Sequence, residues 1–142
     1  MDELARVKGM LHQGGYTLVL LCGEQVYTSD ERGIRPLLER VLSGTDDSGG
    51  YAADRIVGRA AAMLYILLRV RAVYADVMSK DAALLLKDAG ITASYGTLTD
   101  TIMNRDGTGS CPMEAATAAL TDPADAPRAL IAALKRLRNT GG

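Results

Sequence analysis

Residues 52–69 read AADRIVGRAAAMLYILLR, and the interpretation of this stretch decides the fold. It turns apolar at Ile56, stays almost wholly so to Leu68, contains no proline, and from Arg59 onward is filled with good helix formers. Apolar residues fall on every side of a helical wheel, so the pattern predicts a central helix over Ala52–Arg69, buried on most faces. Gly58, Ala60, Ala61 and Ala62 would let that helix lie flat on a sheet. Asp54, Arg55 and Arg59 would place charge in its opening turns, where helix N–H groups lack partners.

Working outward, the flanks supply the sheet. Tyr16–Cys22 and the following EQVYTS read as a hairpin across Gly23, preceded by an amphipathic helix over residues 2–12 that Gly14-Gly15 ends. A second helix fits 34–42, with Pro36 in its first turn. The run SGTDDSGG, 43–50, has loop composition. Ala72–Met78 reads as a buried strand, Ser79 as the cap of a helix ending at Gly90, and Ile91–Tyr95 as another strand, which together make a right-handed βαβ unit. Gly96–Cys111 lacks periodicity, Pro112 opens a short helix, and residues 125–138 form a last one whose basic residues face water.

The chain of 142 residues is expected to be a single domain, with residues 1–15 as an N-terminal helix and 121–142 as a C-terminal helical extension. No Phe or Trp is present, so an aliphatic core must be built from a 48% hydrophobic composition. A net charge of −1 gives no global field for nucleic acid, and no aromatics interleave with the basic residues of the last helix to stack bases. The longest apolar run, Ala60–Leu68, falls short of the ~20 residues a bilayer span needs, and the start of the chain lacks a signal-peptide pattern. Cys22 and Cys111 are too few for a disulfide framework. A cytoplasmic protein without nucleic-acid or membrane partners is the expectation.

The polar run NRDGTGSCPME, Asn104–Glu114, is the most informative place for chemistry. Gly107 and Gly109 permit close backbone approach, so N–H groups beside Thr108 could converge on an anion. Arg105 and Asp106 could pair with each other or meet a phosphate and a ribose. With Cys111 as N-cap and Pro112 at N1, Glu114 falls at N3, from where a carboxylate reaches back to the cap. A thiol at a helix start can become nucleophilic; the plainer alternative is a turn, a flexible joint and a packed thiol. Asp76, late in an apolar strand, is either a site residue or a cap. His12, the only histidine, ends the first helix and is given no function.

The order of elements, ending in KDAGITASYG, resembles the cytidine-deaminase-like fold, a three-layer α/β/α arrangement of a mixed sheet with helices on both faces. AADRIVGRAAAMLY, VYADV and NRDGTGSCPME are similar to the signatures of an uncharacterised bacterial and archaeal family assigned to that fold, over about Leu18 to Glu114. The zinc deaminases carry His-x-Glu at one helix start and Pro-Cys-x-x-Cys at the next. This chain has Asp54–Arg59 in the first place, and Ser79 and Ala82 where the two cysteines would stand. No metal and no cofactor are therefore expected. The resemblance implies a cleft at the two helix starts gathering Asp54, Gly58, Arg59 and Ser79 under the glycine-bearing segment. The leading expectation is a metal-free domain that binds a nucleotide-like or phosphorylated small molecule there. A Cys111-dependent enzyme and a self-associating structural or regulatory module are the alternatives.

Overall fold

The computed structural model describes residues 2–103, 107, 109 and 111–139. Helix α1 (Glu3–Gly14) leads into strands β1 (Leu18–Cys22) and β2 (Gln25–Ser29), then helix α2 (Arg35–Leu42) and strand β3 (Tyr51–Val57). Helix α3 (Arg59–Leu68), strand β4 (Ala72–Ser79), helix α4 (Lys80–Asp88) and strand β5 (Thr92–Thr99) follow. Helix α5 (Pro112–Thr117), a 3-10 turn at Pro123–Asp125 and helix α6 (Ala126–Asn139) close the chain.

The five strands form one mixed sheet in the order β2-β1-β3-β4-β5. The β1 strand is antiparallel to both β2 and β3, whereas β3, β4 and β5 run parallel. The parallel half is built from two consecutive β-helix-β crossovers, so α3 and α4 share one face of the sheet. On the opposite face α1 buries Val7 and Leu11 against Val19, Leu21, Ala53 and Tyr74. The larger core lies on the α3 side, where Ala60 to Tyr65 and Leu68 are all buried between the sheet and α2, α4, α5 and α6. The expected three-layer α/β/α architecture is therefore present, with a central buried helix.

The boundary of that helix differs from expectation. Ala52–Val57 is not its first half but β3, and α3 begins only at Arg59. A strand flanked by neighbours on both edges and covered on both faces reads as a near-continuous apolar run, which periodicity cannot separate from a buried helix. The 43–50 loop accordingly feeds a strand, and Asp54 and Arg55 project from opposite faces of the sheet instead of from a helix start. The last strand also runs four residues past Tyr95, to Thr99. Elsewhere the local signals act as their chemistry requires. Gly15 ends α1 with φ 68°, and the buried Ser79 Oγ accepts the Ala82 N–H at 3.1 Å to cap α4.

Candidate functional site

Helix α3 starts at a glycine that offers no side-chain cap, which leaves its first N–H groups in need of acceptors. Glu114 of α5 supplies them: its Oε1 accepts the Arg59 N–H at 2.6 Å and its Oε2 accepts the Ala60 N–H at 2.8 Å. Both carboxylate oxygens thus sit on the positive end of the buried helix. Gly58 is what admits them. A Cβ at that residue would lie 2.2 Å from Oε1 and 2.5 Å from Cδ, although the Gly58 φ of −105° is open to any residue.

The Arg59 side chain completes the junction. Its Nε donates to the Thr117 carbonyl at 2.9 Å, Nη2 to the Leu120 carbonyl, and Nη1 to Asp81 Oδ2 at 2.8 Å. One guanidinium therefore holds the carboxyl end of α5 and the first turn of α4. Of the residues expected at the cleft, Gly58, Arg59 and Glu114 are brought together, and Ser79 stands at the start of α4 with its hydroxyl committed to capping.

Asp54 belongs to a separate pair. From the α3-facing side of β3 it accepts the Tyr65 hydroxyl at 2.7 Å. Burial pushes its carboxyl up to about 6, partly offset by the hydrogen bonds from Tyr65 and from the Ile56 and Arg55 backbone. The completely buried Tyr65 hydroxyl is raised well above the usual phenol range by desolvation and by the Asp54 charge. The result is a carboxyl that burial holds at about 6 beneath the sheet's main helix.

The Asn104–Glu114 segment is described in part. Asn104, Arg105, Asp106 and Thr108, expected as ligand-binding residues, lie outside the described residues. Gly107 adopts φ 72°, and the loop is closed by the Cys111 N–H donating to the Ile102 carbonyl at 3.1 Å. That bond overturns the expected local capping box. The Cys111 N–H is already satisfied, and Glu114 reaches across to another helix instead of back to its own cap. Cys111 is the half-buried N-cap residue of α5 and makes no side-chain capping bond.

A polar cluster that sequence reasoning missed lies on the α1 face. Asp76 Oδ1 accepts from His12 Nε2 at 2.6 Å and from the Tyr74 hydroxyl at 2.8 Å, and Oδ2 accepts from Arg55 Nη1 at 3.0 Å. Arg55 also donates to the Tyr16 carbonyl at 2.9 Å and the Leu11 carbonyl at 3.1 Å, tying down the end of α1. Partial burial pushes the Asp76 carboxyl up, but the three side-chain hydrogen bonds outweigh it and hold the group below the ordinary carboxylate range. Asp76 is neither a helix cap nor part of the α3 junction. No spacing rule links residues 64 positions apart, and the detectable signal was the polar interruption of an apolar strand.

Zinc chemistry of the deaminase kind does not fit this junction. The positions that would carry thiolates hold Ala82 and a serine already serving as a cap, and the nearby carboxylate is committed to two N–H groups. Among the described residues no three His, Cys, Asp or Glu side chains converge as a metal site requires, and no helix is long and apolar enough to cross a membrane.

Fold and junction together define a mixed-sheet α/β/α domain whose main helix is closed at its start by the chain's own carboxylate. Residues 6–134 match the family described as "TM1506: Domain of unknown function (DUF1893)", and the chain belongs to that family. It is similar in structure to the crystal structure of a DUF1893 family protein (TM1506) from Thermotoga maritima, with a TM-score of 0.84 and 24% identity, covering 93% of this chain and 90% of that one. No curated protein matches the chain.

Proposed function

We propose that this domain binds a nucleotide-like or phosphorylated small molecule at the junction of the α3 start with the segment that ends in Glu114. The observation that carries the reading is the seating of Glu114 on the Arg59 and Ala60 N–H groups. Two donors that hold both oxygens of a carboxylate offer the geometry a phosphate uses, and the helix field favours either anion. Glu114 then acts as a tethered occupant that a ligand displaces. Only the Glu114 side chain has to move: α5 stays held by Arg59 and by its buried Met113 and Thr117 while the carboxylate turns off the two N–H groups. In this reading Arg59 exchanges a backbone acceptor for the incoming anion, and the α3 start, which follows the carboxyl end of β3, lies on the side of the sheet where parallel crossovers commonly bind ligands. Two cysteines that form no disulfide suit the reducing cytoplasm in which such a ligand is abundant.

The test is thermal denaturation with inorganic phosphate, pyrophosphate, nucleoside phosphates and sugar phosphates, on the natural chain and on Glu114→Ala. A ligand at a hundredfold its dissociation constant stabilises by about 2.7 kcal/mol, an easily measured shift. At least one anion should stabilise the chain, and at lower concentration once the competing carboxylate is gone. No response from either protein to any of these compounds refutes the reading.

A further inference from the structure

Strand β5 ends the sheet. It pairs with β4 from Thr92 to Thr99, and among the described residues no strand lies along its other edge. An edge of this kind is a template for another strand, and natural sheets blunt it with charge, proline, a bulge or shortness. The opposite edge, β2, spans five residues, with Glu24 before it and Asp30, Glu31 and Arg32 after it. The β5 strand is eight residues of TASYGTLT, with neither charge nor proline. Tyr95 is 43% exposed and Leu98 36%, and a hollow of about 390 Å³ between the strand and α4 is lined by Ala83, Lys87, Ile91, Ala93 and Tyr95.

We propose that β5 pairs antiparallel with β5 of a second copy of this chain, joining the two sheets across a twofold axis. Three features favour a copy of the same chain over another occupant. A neutral strand meets its own copy without repulsion along its length. Antiparallel pairing about a twofold axis is self-complementary, and because directly opposed residues must share a sheet face, the axis falls at Tyr95 or Gly96. Each end of the strand carries a charge of both signs, Asp100 with Lys80 at one and Lys87 with Asp88 at the other, so that an antiparallel copy can meet acid with base at both. Asp100, 82% exposed and paired with Lys80, follows the carboxyl end, while Lys87 lines the hollow beside Thr92 at the amino end. Antiparallel pairing brings Asp100 of one copy toward Lys87 of the other at both ends of the interface.

Light scattering on the natural chain across micromolar to millimolar concentration should report a mass of two chains. Thr97→Lys, an exposed change that places like charges near the axis, should give a single-chain mass with an unaltered circular dichroism spectrum. Lys87→Asp, on the surface of α4, should raise the dimer dissociation constant at least tenfold, and adding Asp100→Lys should restore it. A natural chain that stays monomeric at millimolar concentration overturns the proposal. So does a dimer indifferent to Lys87→Asp, even where Thr97→Lys fails to fold.

Discussion

Gly58→Ala isolates the contact on which the account of the α3 junction depends. The backbone there tolerates alanine, so the whole effect comes from the new Cβ, which would stand 2.2 Å from Glu114 Oε1. The obstacle is the far end of a flexible side chain, so the carboxylate leaves and the helix does not deform. What is lost is a pair of charge-assisted hydrogen bonds at 2.6 and 2.8 Å, at about 1.5–3 kcal/mol each for well-buried groups. Because the junction is only part-buried and water can replace the carboxylate, a combined loss of about 2–3 kcal/mol is expected. With Glu114→Ala already in place the same glycine change has nothing to displace, and its cost should fall to within ~0.5 kcal/mol of zero, or turn favourable by restricting the unfolded chain. Urea denaturation of the natural chain, both single variants and the double variant gives the coupling directly. Additive costs would refute the claim that Gly58 is there to admit Glu114.

Asp54→Asn should stabilise the chain by about 1–2 kcal/mol at pH 7.5 and by nothing at pH 3, as measured by urea denaturation across pH. The carboxyl is raised from 3.8 to about 6 in the fold, so the native state binds the extra proton and stability falls as pH rises through that window. Removing the charge removes the fall, less what the amide loses with the backbone donors; a pH-independent difference contradicts this. Asp76 has the opposite sign. Its carboxyl is held below its usual value, so its contribution is complete above about pH 4 and is lost as pH falls below that. Asp76→Asn should therefore cost about 1–2 kcal/mol at neutral pH, and the difference from the natural chain should shrink in acid. Arg40→Met should cost about 3 kcal/mol or more in chemical denaturation, because it strands the buried Asp47 carboxylate now held by Arg40 Nε at 3.0 Å and Nη2 at 3.1 Å. A loss under 1 kcal/mol would mean water reaches Asp47.

Most elements were legible because their determinants are local. The hairpin across Gly23, the α1 stop at Gly15, the Ser79 cap and the proline at the start of α5 each rest on a residue whose backbone or side-chain chemistry acts within four positions. The error at Ala52–Val57 arose where that logic ends. The only local mark of the strand-to-helix boundary is Gly58, which reads equally well as a small residue inside a helix packed on a sheet. The glycine is explained instead by a side chain 56 positions later in the sequence. The site divides in the same way. Spacing placed Glu114 at the third position of α5, yet its partners are the Arg59 and Ala60 N–H groups, 55 and 54 residues away. Asp76 stands out in the sequence as a polar break in an apolar strand, but its partner His12 looks ordinary, and only α1 packing on the sheet brings the two together.

The most direct measurement is an amide-resolved nuclear magnetic resonance titration of the natural chain and of Glu114→Ala with pyrophosphate. If the α3 start is an anion seat that Glu114 fills, the Arg59 and Ala60 amide signals move first and furthest, at lower concentration in the variant. Saturating pyrophosphate that leaves both amides unmoved in Glu114→Ala would make the carboxylate a structural clamp and nothing more.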